Sequence, residues 1–103
     1  MSTPTAAFAA LADDTRWTIL VRLGQEPASA STLAKELPVS RQAIAKHHEV
    51  LAQVGLVEGQ RHGREVVHHP VGARLSELGR DLQRIGEVWE HRLAGIKRIA
   101  EES

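Results

Sequence analysis

The sequence predicts a mainly α-helical domain with a small β-ribbon, which is an α+β fold. At several points along the chain, side chains that cap helices precede apolar residues spaced by three and four. Residues 57–69 instead have the composition of two short strands around a turn at His62-Gly63. From about residue 73 to residue 102 the helical spacing continues to the end of the chain. We expect residues 1–103 to form a single domain.

Two short helices are predicted at the N-terminus. Thr3 supplies a capping hydroxyl directly before a proline, so the first helix should span about residues 4–11. The pair Asp13-Asp14 offers two alternative caps for a second helix over about residues 15–23. Trp17 lies off the apolar stripe of this second helix, and we expect its ring to face a partner surface.

A helix–turn–helix follows. Ser29 or Ser31 caps a third helix over about residues 31–37, and a proline then forces a tight turn. Ser40 caps the fourth helix, which runs to about Val54 and is closed by a glycine.

The fourth helix is amphipathic. Ile44, Leu51 and Val54 share one face at the helical period, and this face can be buried. The other face offers cations, an amide and a small side chain, a combination that suits contact with phosphates and with base edges in a major groove. The alternative is an ordinary surface helix of mixed charge. The residues that we expect to contact DNA from this helix are Ser40, Arg41, Gln42, Ala45 and Lys46.

The predicted ribbon carries Arg61, His62 and Arg64 at its tip. This position suits contact with a minor groove or with phosphates, and the alternative is a solvated turn. Pro70 should end the second strand.

The last helix presents an apolar seam too long for a small core to cover, so we expect it to pair with a second copy of the chain. The alternative is a helix that packs on its own domain. The residues predicted to form the dimer interface are Phe8, Trp17, Leu82, Ile85, Trp89, Leu93 and Ile96.

Composition limits the classes of function. The chain has 103 residues, 25% of them charged and 42% hydrophobic, with no cysteine. Thiolate metal sites and disulfides are therefore absent, and no apolar run is long enough to span a membrane. The N-terminal residues lack the pattern of a signal peptide, so we expect a cytoplasmic protein.

Charge is distributed unevenly although the net charge is zero. Residues 35–74 contain six Lys and Arg against four Glu, together with five of the six histidines. This modest basic segment would bind DNA weakly as one copy, which favours a dimer.

The order of the predicted elements is that of a winged helix-turn-helix. ALADDTRWTILVRL, followed by TLAKELPVSRQAIAKHHEVLAQVGLVEGQRHGREVVHHP, resembles the ArsR-type (ArsR/SmtB) transcriptional repressors over about residues 7–70. The segment LQRIGEVWEHRLAGI resembles the dimerising last helix, within residues 73–102, of members that lack a metal site. The resemblance implies a homodimeric repressor of double-stranded DNA with half-sites spaced by about one helical turn of 34–36 Å. It implies no cofactor and leaves the effector unknown.

Three features depart from the family pattern. His48 stands where a leucine is normally buried, and we expect it to be half-buried with a hydrogen-bond partner. The alternative is that protonation of His48 below about pH 6.5 disturbs helix packing and DNA affinity. Ala45 replaces a common serine, and the ribbon ends in Val66-Val67-His68-His69 rather than in tyrosines.

Other functions are less well supported. In the last helix His91 lacks the paired histidine that a metal motif needs, and we expect no metal site. A nitrogen site from His62, His68 and His69, giving a metal-responsive repressor, is the alternative. A winged helix retained for protein interaction is another. No nucleophile or phosphate-binding loop supports an enzyme.

Overall fold

The computed structural model describes residues 3–102 and has the predicted α+β winged helix-turn-helix architecture. Every predicted helix and both predicted strands are present, with ends that differ from the predictions by at most two residues. The elements in chain order are α1 (Pro4–Leu11), α2 (Asp14–Leu23), β1 (Ala28–Ser29), α3 (Ala30–Glu36), α4 (Arg41–Gln53), β2 (Val57–His62), β3 (Glu65–Pro70) and α5 (Gly72–Glu102).

Side-chain caps begin the first four helices, as the sequence predicts. Of the alternatives left open, Asp13 caps α2 and Ser29 caps α3. Each cap accepts a hydrogen bond from the backbone N–H three residues later, which satisfies a donor that has no partner within the helix. The donor–acceptor pairs are Ala6 to Thr3 at 3.2 Å, Arg16 to Asp13 at 2.9 Å, Thr32 to Ser29 at 3.1 Å and Ala43 to Ser40 at 3.1 Å.

The end of α4 sets the direction in which the wing, the ribbon formed by β2 and β3, leaves it. Gly55 has a φ of +76°, a conformation that glycine adopts without steric cost. Its N–H donates to the carbonyl of Ala52, and the N–H of Leu56 donates to the carbonyl of Leu51, each at 3.0 Å. These two bonds form a Schellman motif, so the predicted closure of α4 by a glycine is confirmed.

The ribbon is one part of a three-stranded antiparallel sheet of order β1-β3-β2. The sequence did not predict β1, whose two residues pair with Val67 and His68 and make β3 the central strand. The predicted position of the turn was wrong by one residue: the loop is Gly63-Arg64, because His62 pairs with Glu65 as the last ladder residue. Gly63 has a φ of +63°, as a type II′ turn requires at its first central residue.

The core is aliphatic, and two arginine side chains fix the first helices around it. Arg16 donates from Nε to the carbonyl of Ala10 at 2.6 Å, which joins α1 to α2. Arg22 donates from Nε and Nη2 to the two carboxylate oxygens of Glu36 at 2.6 and 3.2 Å, which joins α2 to α3. The buried hydrophobic cluster comprises Ala7, Ile19, Leu20, Leu23, Ala28, Leu33, Ile44, Leu51, Leu56, Val57 and Leu78.

Only the first turns of α5 reach this core. Leu78 is buried in it and Leu75 packs against it, whereas the following turns are largely exposed. The helix has 31 residues, so it is about 46 Å long. It gives the molecule an elongated outline of 69 × 28 × 21 Å. Within residues 3–102, none of the helices has the length and hydropathy needed to cross a membrane.

Candidate nucleic-acid interface

The first two turns of α4 expose the side chains that the sequence predicts to contact DNA. Ile44 and Leu51 are completely buried and fix the helix on the core. The opposite face is exposed, and its polar groups are free to meet a ligand. The exposed residues are Arg41, Gln42, Ala45 and Lys46, with Ser40 exposed at the cap.

The wing tip lies beside this helix. Arg61, His62 and Arg64 are exposed at and next to the turn between β2 and β3. Arg64 lines a cavity of about 390 Å³ together with Arg41 and Ala45, so the turn and the start of α4 flank one opening. Ser40, Gln42 and Lys46 line a separate depression on the outer side of α4.

His48 occupies a different environment from the one predicted. We expected a half-buried ring with a hydrogen-bond partner, but His48 is only 2% exposed and neither ring nitrogen has a partner. Its ring instead packs on that of His68 in β3, with centroids 3.8 Å apart and an interplanar angle of 30°. Nδ1 of His68 is also buried without a partner. The reason is that position 48 lies on the buried side of α4, which faces His68 of β3.

Burial also changes where these rings titrate. The pKa of His48 is lowered to about 4, mainly by desolvation and to a smaller extent by the nearby His68 and His47. Desolvation likewise lowers the pKa of His68, with a smaller effect of His69. The predicted threshold near pH 6.5 is therefore wrong for the folded protein, in which His48 is neutral at pH 7.

Small residues on the neighbouring strands make room for the His68 ring. His68 pairs with Ala28 of β1 on one side and with Gly59 of β2 on the other. A Cβ atom on Gly59 would lie 3.2 Å from Nε2 of His68 and 2.9 Å from Cγ1 of Val66. The pairing of His48 with His68 was missed in the sequence, and the small residues at 28 and 59 are the signal that points to a bulky group at 68.

The predicted dimer residues lie along one apolar surface. Phe8 and Trp17 line a groove of about 490 Å³ between α1, α2 and the first turns of α5. Leu82 borders this groove, and the seam continues along α5 with Ile85, which is 69% exposed. Trp89 and Ile96 are also exposed, and Leu93 is half-buried.

Metal-binding side chains do not converge within residues 3–102. No group of three or more histidines and carboxylates is arranged there to hold a metal ion. Of the histidines proposed as an alternative nitrogen site, His68 packs on His48 and His69 lies 3.9 Å from a carboxylate oxygen of Glu58.

Comparisons with known proteins place these features in a family. The chain matches a model of a helix-turn-helix domain over residues 11–60. It is 36% identical over 96 residues, 93% of its own length and 87% of the relative's, to the HTH-type transcriptional regulator Rv2034 of Mycobacterium tuberculosis.

Solved structures extend the likeness to the whole fold. An ArsR-like transcriptional regulator from Rhodococcus sp. RHA1 superposes with a TM-score of 0.85 at 54% identity, covering 94% of this chain and 92% of that one. A second ArsR family regulator superposes with a TM-score of 0.73 at 30% identity, covering 84% and 89%. The chain therefore belongs to the ArsR family of winged helix-turn-helix transcriptional regulators, which act by binding DNA and not by catalysis.

Proposed function

We propose that this protein is a homodimeric transcriptional repressor that binds a near-palindromic operator through α4 and the wing. The observation that carries the proposal is the exposed polar face on the first two turns of α4. It presents one amide and two cations beside a helix N-terminus, and no described contact occupies these side chains on their own domain. Such a face can enter a major groove while the backbone N–H groups of the first turn meet a phosphate.

Different residues of this face have different roles. Gln42 can make a bidentate contact with adenine, which reads sequence. Lys46 and Arg41 contact guanine or phosphate, and Ser40 contacts phosphate while it caps the helix. Ala45 lets the helix approach closely. The wing residues Arg61, His62 and Arg64 contact the backbone or the minor groove beside this site.

The second copy is inferred from the apolar surface of α5. A seam of large hydrophobic side chains would be left in water by a monomer, and the groove beside α1 and α2 continues it. A second copy of the chain covers both at once through a symmetric interface, because each α5 can lie against the partner's seam. Dimerisation also doubles the phosphate contacts available to a chain with a net charge of zero.

DNA binding is tested with fragments selected from a genomic library by the purified protein and then titrated by fluorescence anisotropy. Gln42→Ala should weaken binding to the selected site by about tenfold and relax its sequence preference. Lys46→Ala should weaken binding to all sequences and reduce the salt dependence. Gln53→Ala, an exposed change on the last turn of α4, is the control and should bind as the wild type does. Equal affinity for selected and random duplexes at low salt would count against the proposal and favour a protein-interaction module.

The dimer is tested by sedimentation at several protein concentrations. Ile85→Lys introduces a charge into the seam and should shift the protein toward the monomer. Gln83→Lys adds the same charge on an exposed position off the seam and should leave the dimer intact. A wild-type protein that sediments as a monomer at every concentration would contradict this part of the proposal.

A further inference from the structure

We propose that His48 and His68, the histidine pair, hold the wing in position against α4, and that protonation of the pair releases the wing and weakens DNA binding. The inference rests on the proposed function, because DNA binding is one of its two readouts. It concerns residues that contact no DNA in that proposal. They act by positioning the residues that do.

The histidine pair is a direct connection between the two DNA-binding elements. His48 lies in the middle of α4, and its ring stacks on the ring of His68 at 3.8 Å. His68 belongs to β3, the central strand of the sheet, which leads from the turn that carries Arg64. A displacement of His68 from His48 therefore moves the wing side chains relative to those of α4.

The contact between His48 and His68 favours neutral rings. Both nitrogens of His48 and Nδ1 of His68 are buried and lack hydrogen-bond partners. Burying a charged group that has no partner costs far more free energy than burying the same group in its neutral form. Two imidazolium rings at this separation would also repel each other. Three of the four ring nitrogens are buried without partners, so the pair is most stable while both rings are unprotonated.

Charged groups around the pair do not form ion pairs that would stabilise the protonated rings. The cavity beside the pair is lined by two arginines as well as two glutamates, so its charges offset each other. Glu65 accepts a hydrogen bond from Oγ of Ser29 at 3.3 Å, and no ion pair joins Glu49 or Glu65 to His48 or His68 among residues 3–102. The titratable groups that face the pair are Arg41, His47 and Glu49 from α4, and Arg64, Glu65 and His69 from the turn and β3.

Opening of the wing would let the two rings be protonated in contact with water. When the wing moves away from α4, water reaches the buried ring nitrogens, and each ring can take up a proton at its ordinary pKa. Acidification therefore favours the open arrangement. In that arrangement the DNA-contacting side chains of the wing are no longer held at a fixed distance from those of α4. Positive charge added to the exposed DNA-binding surface has the opposite effect on DNA affinity, because it attracts phosphates.

The first test compares DNA affinity at about pH 7.5 and about pH 5. The wild type should bind the selected site about tenfold more weakly at the lower pH. The double variant His48→Leu/His68→Leu should bind similarly at the two pH values or more tightly at the lower one. His91→Gln, an exposed change on α5, should keep the wild-type response. An equal loss in the wild type and the double variant would overturn the proposal.

The second test needs no DNA and so separates this proposal from the proposed function. The ring protons of the six histidines and the backbone amides of β2 and β3 are followed by NMR during a pH titration, with single variants used for assignment. The amides of the wing should shift with the midpoint of the His48 and His68 rings, while circular dichroism remains that of the folded protein. Rings that titrate while the wing amides stay unchanged would overturn it. Failure to bind DNA at about pH 7.5 counts against the proposed function alone.

Discussion

The free energy of unfolding of this protein should fall as the pH is lowered from neutral, and the burial of His48 should contribute to the fall. In the folded protein the pKa of His48 is lowered to about 4 by burial, whereas a histidine of the unfolded chain titrates near 6.5. Between these values the unfolded state binds a proton that the folded state does not. The stabilising difference is therefore fully present above about pH 6.5 and is lost as the pH falls toward 4.

The magnitude follows from the gap between the two pKa values. One unit corresponds to about 1.4 kcal/mol, so the stability that is lost reaches about 3 kcal/mol once the pH is below both values. Between about pH 7.5 and about pH 5 the loss should be about 2 kcal/mol, because the folded state is still mostly unprotonated at the lower pH. His68, whose pKa is also lowered, acts in the same direction. This is a large share of the stability of a small domain.

Urea unfolding at the two pH values measures the effect, with the protein concentration held fixed because the proposed dimer would also contribute to stability. The wild type and His91→Gln should show the full loss. His48→Leu should show a loss smaller by about 2 kcal/mol. At about pH 7.5 it should be at least as stable as the wild type, because it removes two buried nitrogens without partners. The same loss in His48→Leu and the wild type would refute the reasoning, since the titrating group would lie elsewhere.

Two further predictions concern positions that hold α4 and the wing in place. Ser40→Ala removes the cap of α4 and should cost about 1 kcal/mol of unfolding free energy by urea titration, whereas Ser76→Ala, an exposed change inside α5, should cost nothing. Gly59→Ala should cost about 1 kcal/mol, because its Cβ would press on the cross-strand imidazole and a valine methyl. Gly72→Ala has open space around its Cβ and serves as the matched control; equal costs at the two glycines would contradict the steric explanation.

The helical part of the fold was predictable because its signals are local. Ser40 followed by a periodic apolar face, and Gly55 after it, define α4 without reference to any distant residue. The hydroxyl and carboxyl caps of the other helices act over three residues in the same way. The exposed face of α4 followed from the same periodicity, since residues three and four apart share one side of a helix.

The features that were missed depend on contacts between distant segments. β1 has two residues, too few for an alternating pattern, and exists only because Ala28 and Ser29 meet β3. The depth of burial of His48 likewise depends on how close the sheet lies to α4. Helical periodicity gave the direction of this side chain but not the group that it meets.

The histidine at position 48 stands where the family pattern has a leucine. The residues around it explain it better than the idea of a packing defect does. An imidazole in place of an aliphatic side chain leaves nitrogens without partners, which costs stability. The arrangement accommodates a second imidazole at His68, and Ala28 and Gly59 leave space for that ring on both sides. A protein that needed only a packed core could use aliphatic groups at both positions with less cost. A pair of neutral rings between α4 and the wing adds a property that aliphatic groups lack, because its stability depends on pH in the range between about 4 and about 6.5.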